Sequence, residues 1–222
     1  MRGMASHSRF QPAAAAGGRA NTFTTLYPVS YTTGKFGNSM SAGEVITAPG
    51  SAFNFGANDW VIEWWMYYTL LTNTNSAQLL IKDTVTDYTV LTMYIEYDNR
   101  YSPQHIMQFI MKDSAGVNKY SNPRVTLSAA TWYHIAFARS GSTISTYFNG
   151  SLVSATTGVT NPVYNLTNPG VYIAAGPGRI DDLRIQTGTG TYAGAPVAAS
   201  TNTAQTQLLV HFDSTVEDDA TG

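Results

Sequence analysis

Two adjacent carboxylates stand in the stretch GRIDDLRIQTGTGTY, which runs from Gly178 to Tyr192. Asp181 and Asp182 interrupt what otherwise reads as a short apolar strand, with Arg184 just beyond them. An acid pair of this kind can cleave a glycosidic bond, hold calcium or brace a scaffold. Glycoside hydrolysis needs two acids facing one bond from one groove. Successive residues of a regular strand point to opposite faces, so Asp181 and Asp182 do not converge as such a pair must. Calcium takes about six to eight oxygens, often from several carboxylates. Only Asp181 or Asp182 offers itself as a calcium ligand, and no set of helpers accompanies either. The scaffold reading has Asp181 accepting backbone N–H bonds and fixing a strand crossing, while Asp182 or Arg184 faces solvent. The sequence favours this third reading.

Other reactive types are sparse. The histidines, His7, His105, His134 and His211, fall in separate segments without the close spacing of a zinc site. His134, near Trp132, reads as a strand residue with its ring hydrogen-bonded. There is no cysteine, hence no disulfide and no thiolate chemistry. The glycines of GPGR and GTGTYAG lack the following Lys-Ser/Thr and helix of a phosphate loop. No nucleophile elbow marks a serine. Tyr88, Tyr94, Tyr97, Tyr101, Tyr120, Tyr164 and Tyr192 fall in or near loops and strand ends, where tyrosines make sugar platforms and protein interfaces. No metal and no other cofactor is expected beyond the calcium candidate.

The elements that must position these residues are strands. In DWVIEWWMYYTLL, Trp60, Ile62, Trp64, Met66 and Tyr68 share one face, with Val61, Glu63, Trp65 and Tyr67 on the other. TVLTMYIEY, QHIMQFIMKD, TWYHIAFAR, TISTYFNGSLVSATT, GVYIAA, RIDDLRI and TQLLVHFD continue the pattern. Asn149-Gly150 between two alternating runs is a strong hairpin signal. At least nine or ten such strands, punctuated by Gly, Pro and Asn, predict a jelly-roll sandwich of two antiparallel sheets.

Charge is scarce: 12% of the 222 residues are Asp, Glu, Lys or Arg, against roughly 25% in an average protein. The net charge of −2 gives no global attraction to phosphate, so nucleic acid is not an expected partner. No apolar run has the length of a membrane helix and no apolar stretch near the start makes a secretory signal, so no membrane partner and synthesis in a cytoplasm are expected. Residues 1–21 read as a basic Ala/Gly-rich arm, too polar to fold alone. Its Arg2, Arg9, Phe10 and Arg19 are the candidate partner-binding residues. Residues 22–213 read as the sandwich and residues 214–222 as a short acidic tail with Glu217, Asp218 and Asp219.

Three segments that carry four motifs together resemble a known family. FNFGANDWVIEWWMYY centres on Glu63, and TWYHIAFARSGSTISTYFNGSLV carries Trp132, His134, Ile135, Tyr147, Asn149 and Gly150. With GRIDDLRIQTGTGTY they follow the order of the concanavalin A-like lectin/glucanase superfamily, laminin-G-like branch. The form resembles laminin-G-like domains in virion proteins of tailed phages. The resemblance implies a two-sheet sandwich, with Asp181 at the position where some members hold calcium. The glucanases of the superfamily use a Glu-x-Asp-x-Glu row along one strand face. Here Glu63 is flanked at that spacing by Val61 and Trp65, so the row is absent and no enzyme is expected.

Resemblance and arm together lead to an expected function. The chain is read as a non-catalytic virion structural protein, a capsid decoration protein held through residues 1–21 to other virion proteins such as the major capsid protein. It is present in multiple copies and binds surface glycans. A tail or fibre adhesin for host polysaccharide and a cellular carbohydrate-binding module are the alternatives.

Overall fold

The computed structural model describes residues 24–25, 30–41, 44–47, 53, 55–69, 76–83, 85–100, 105–173, 178–201 and 203–210. The arm with Arg2, Arg9, Phe10 and Arg19, the acidic tail, His7, Tyr101 and His211 lie outside them. Among the described residues there are sixteen strands and no helix. In chain order they are β1 (Thr24–Thr25), β2 (Ser30–Thr33), β3 (Asn38–Ser41), β4 (Glu44–Thr47), β5 (Trp60–Tyr68), β6 (Ser76–Asp83), β7 (Thr89–Tyr97) and β8 (His105–Lys112). Then follow β9 (Asn118–Ser121), β10 (Arg124–Val125), β11 (Thr131–Ser140), β12 (Thr143–Phe148), β13 (Ser151–Thr156), β14 (Pro169–Ile173), β15 (Gly178–Thr187) and β16 (Thr206–Val210).

They form two sheets with antiparallel pairing throughout. The first runs β1-β4-β14-β6-β7-β8-β10, with β9 also on β8; the second runs β13-β12-β11-β5-β15-β3-β2, with β16 also on β15. The predicted two-sheet sandwich is therefore the observed fold. Alternation explains the packing between the sheets. Trp60, Ile62, Trp64, Met66 and Tyr68 of β5 all face the core, against Met107, Phe109 and Met111 of β8. Phe109 stacks on Phe137 of β11 across the sandwich, with ring centroids 4.1 Å apart. Each such large side chain contributes roughly 1.5–3 kcal/mol by leaving water.

The Asn149-Gly150 turn joins β12 to β13 as the sequence predicts. Asn149 has φ 48° and Gly150 φ 85°, the paired left-handed conformations of a tight hairpin turn. The Asn149 side chain accepts the His134 N–H at 2.9 Å, tying the turn to β11.

Part of the outer face of the second sheet is buried as well. Val61, Glu63 and Trp65 of β5, and His134, Ala136 and Ala138 of β11, are all buried although they face away from the core. The described residues between Gly188 and Gln205 run over part of this face as a strap. It starts against the Asp59 carbonyl and passes so close to β11 that a Cβ on Gly190 would sit 2.1 Å from the Arg139 carbonyl oxygen. It lays Tyr192 over His134 and passes the Gly150 turn at Ala195. It returns to Asp182 at Ser200 and to Gln186 at Thr203.

Candidate functional site

Strand register arranges the outer face of the second sheet in rows across β11, β5 and β15. Trp132, Tyr67 and Arg179 form one row; His134, Trp65 and Asp181 form the next; Ala136, Glu63 and Arg184 form the third. Burial increases along this series. Trp132, Tyr67 and Arg179 are half-buried, whereas Glu63 and His134 are each 1% exposed.

The third row and the strap make a closed polar cluster. Arg184 donates from Nε to Glu63 Oε1 at 2.8 Å and from Nη2 to the same oxygen. Glu63 Oε2 lies 3.3 Å from His134 Nε2, and the Tyr192 hydroxyl lies 2.9 Å from His134 Nδ1. Burial, and then the negative charge of Glu63, push the Tyr192 hydroxyl well above its ordinary pKa. It therefore stays protonated, and it shares a hydrogen bond with the Nδ1 of His134. The ring of His134 is hydrogen-bonded as expected. A tyrosine held protonated over a carboxylate already engaged by arginine supplies no activated nucleophile.

The second row answers the question of the acid pair. Here β15 changes neighbours: Arg179 and Ile180 pair with β3, and Leu183 to Gln186 pair with β16. A bulge against β5 falls between Asp181 and Arg184, and Asp182 takes φ 52°. Asp181 Oδ2 accepts the N–H groups of Lys35 at 2.7 Å and Phe36 at 2.9 Å, in the turn between β2 and β3. Its Oδ1 accepts the N–H of Asp182 at 2.7 Å. Asp182 accepts the N–H of Ser200 at 2.9 Å and its hydroxyl at 2.7 Å. The two acids thus accept backbone N–H groups from the β2–β3 turn, the bulge and the strap. Burial pushes Asp181 up to about 6, against the three N–H donors and with a smaller push from Asp182.

Asp181 has the scaffold role read from the sequence. Two details are corrected. The pair does not alternate across a regular strand, because the bulge takes Asp182 out of register. Nor does Asp182 or Arg184 simply face solvent: Asp182 is 1% exposed and Arg184 is engaged by Glu63. Among the described residues no three His, Asp or Glu side chains gather to hold a metal ion. The other buried acids are similarly occupied. Asp83 accepts from Val85, Thr86 and Asn168. Asp113 accepts from Ala115, Val117 and Asn161, and Asp98 pairs with Arg100 and Arg124.

Beside these buried rows, the described residues of the first row and of the turn above it are partly open. Trp132 and Tyr67 pack with centroids 5.2 Å apart. The Arg179 guanidinium lies 4.3 Å from the Tyr67 ring centre, and Lys35 Nζ lies 4.4 Å from that of Trp65. Phe36 meets the edge of Trp65 at 5.8 Å. This is a shelf of aromatic rings and cations, flanked by the exposed Thr32 and Thr33. Of the seven tyrosines singled out from the sequence, the six that are described do not belong to it. Tyr94 lies within β7, and Tyr88 and Tyr164 pair with each other elsewhere. The available signal was the outward set Trp132, Tyr67 and Arg179, which strand alternation places together once the register is known.

A family model described as the concanavalin A-like lectin/glucanases superfamily matches residues 40–193, more than half of the chain. No curated protein matches the sequence. Among solved structures, the chain is similar to tailspike protein 2 from the Escherichia coli O157:H7 bacteriophage CAB120. The TM-score is 0.62 at 10% identity, covering 98% of this chain and 31% of that one. It is similar to the binding domain of Paraclostridial Mosquitocidal Protein 1, with TM-score 0.55 at 12% identity over 80% of this chain and 47% of that one. It is also similar to domain 4 of AbnA, an extracellular arabinanase from Geobacillus stearothermophilus, solved with arabinotriose. That match has TM-score 0.52 at 15% identity over 83% of this chain and 93% of the other. The chain thus spans about half or less of the first and second of these proteins and nearly all of the third.

Proposed function

The chain belongs to the concanavalin A-like lectin/glucanase superfamily, and from that premise we propose that it is a non-catalytic carbohydrate-binding β-sandwich. The observation that carries this reading is the shelf of Trp132, Tyr67 and Arg179 with Lys35 and Phe36 above it. Aromatic side chains bury the apolar faces of sugars, and neighbouring donors fix the hydroxyls. The occupied state of Glu63, Asp181 and Asp182 supports binding without cleavage, since each is tied to the chain's own donors. Domain 4 of AbnA, of matching size, was solved with arabinotriose, so a sandwich of this form is able to hold an oligosaccharide. Affinity electrophoresis through immobilised polysaccharides tests the reading. The wild type should be retarded, and Trp132→Ala and Tyr67→Ala should each weaken retardation roughly tenfold without loss of fold. Equal retardation of all three proteins, or none of any, would overturn it.

The finer reading is that of a virion protein of a tailed phage, a capsid decoration protein present in multiple copies and attached to the major capsid protein through Arg2, Arg9, Phe10 and Arg19. It rests on the composition of residues 1–21 and on the resemblance to phage domains, and the similarity to a phage tailspike is in keeping with it. Repetition over a shell would multiply weak single contacts. The adhesin reading differs in where specificity resides: glycan binding by the sandwich would survive deletion of residues 1–21, whereas particle attachment would be lost. Attachment of the truncated protein at full strength would exclude the arm as the anchor.

A further inference from the structure

We infer that the glycan taken by this shelf is acidic, a polyuronate gripped through its carboxylates by Arg179; this rests on the carbohydrate-binding reading above. Arg179 and Arg184 lie on one strand and project from one face, and they differ in what their guanidinium edges meet. Arg184 closes its Nε–H and Nη2–H edge on Glu63. Arg179 spends only Nη1, on the Thr33 carbonyl at 2.5 Å and the Thr32 hydroxyl at 3.4 Å. Its Nε–H and Nη2–H have no acceptor among the described residues. That edge is the planar fork that takes a carboxylate through two parallel hydrogen bonds.

The cations also change what kind of sugar the rings can receive. Arg179 lies over Tyr67 and Lys35 over Trp65, so each cation covers the face on which a neutral sugar would stack. Neither forms an ion pair with an acid among the described residues. The acids beneath are turned inward: Asp181 is buried under the Lys35–Phe36 turn and Glu63 under the strap. Among the described residues the shelf therefore presents two positive charges without an acidic partner, held in place by aromatic rings, with Trp132 beside them for the apolar side of a sugar. Two cations on a chain of net charge −2 are too few for a polyphosphate strand, whose binding depends on neutralising many charges at once.

The test is equilibrium binding of the full chain to a panel of polyuronates (polygalacturonate, alginate and hyaluronate). The same polymers after carboxyl reduction, a neutral β-glucan and polyglutamate complete the set. At least one polyuronate should bind, and its carboxyl-reduced form should bind roughly tenfold or more weakly. Arg179→Lys, which keeps the charge and loses the fork, should cost about tenfold on the polyuronate. Lys35→Gln, on the exposed turn, is the second variant should Arg179→Lys lower the thermal midpoint. Equal affinity for the reduced polymer or the neutral glucan would overturn the acidic assignment and leave carbohydrate binding standing. Polyglutamate bound as tightly as the polyuronate, or both variants bound at wild-type strength, would also overturn the assignment. Binding of no polysaccharide at all would overturn both readings.

Discussion

Asp182 donates its backbone N–H to Oδ1 of Asp181 at 2.7 Å, while its own carboxylate takes both donors of Ser200. The first acid thereby anchors the left-handed residue that follows it, and the second anchors the strap. Two side chains that look like a reaction centre in the sequence therefore hold three pieces of backbone together: the β2–β3 turn, the bulge of β15 and the segment returning over the outer face. The arrangement exists because β15 has one neighbour before the bulge and another after it. Three tests follow from this clamp, and a fourth from the cluster beside it.

The Asp181 clamp should be pH-dependent. Its folded pKa is raised to about 6 from an ordinary 3.8. Between those values the native chain holds a proton that the unfolded chain has released, so the stability conferred by this group is full below about pH 4 and falls as pH rises through 6. Asp181→Asn does not titrate, and its amide would set an N–H against one of the three backbone donors. The variant should be less stable than wild type by about 1–3 kcal/mol near pH 4, and the gap should narrow by pH 7. Urea midpoints at both pH values measure it. A gap that widens with pH would contradict the assignment.

Calcium should not matter to the clamp. With Asp181 accepting from three N–H donors and Asp182 from both donors of Ser200, most of the lone pairs a cation would use are taken. The thermal midpoints of wild type and Asp181→Asn should be the same with excess calcium as with a chelator. A rise with calcium in the wild type alone would make Asp181 a ligand.

The strap should be sensitive at Gly190. A Cβ there would meet the Arg139 carbonyl oxygen at 2.1 Å and the Ser140 Cα at 2.9 Å, both backbone atoms that cannot rotate away. Gly190→Ala should lift the strap and cost about 1–3 kcal/mol. It should also speed hydrogen exchange at the Ser200 amide, which the strap presents to Asp182. Unchanged exchange would mean that the strap is held independently of Gly190.

How far the sequence foretold this depends on what each residue's partner was. The core face of β5 and the Asn149-Gly150 turn were legible because period-two alternation and local turn chemistry are short-range. The role of Asp181 was legible in outline, since an acid in an apolar strand must find donors. The bulge at Asp182 was not, because it arises from a change of neighbours set by β3 and β16, far away in sequence. Nor was the burial of Glu63 and Val61 on the outer face, because a Gly- and Thr-rich segment without alternation gives no sign that it lies flat on a sheet. Asp83 and Asp113 escaped notice for a related reason: each ties its own turn to a distant segment, at Asn168 and Asn161.

Glu63 offers the sharpest separation between a scaffold acid and a catalytic one. Removing a catalytic acid leaves stability unchanged or raises it, because reactive sites hold strained or unpaired groups. Removing a scaffold acid leaves its partners stranded. Glu63→Gln would deprive the largely buried Arg184 of its counter-charge, a loss of about 3–5 kcal/mol when a buried pair is broken on one side. Arg184→Met alone would leave Glu63 buried with only His134 beside it and should be costly for the same reason. The double variant Glu63→Gln, Arg184→Met removes both charges together and should recover part of the loss. The non-additive remainder should be about 0.5–3 kcal/mol in a double-mutant cycle read from urea unfolding. If Glu63→Gln instead matches or exceeds wild-type stability, the cluster is poised for chemistry and the binding-only reading must be abandoned.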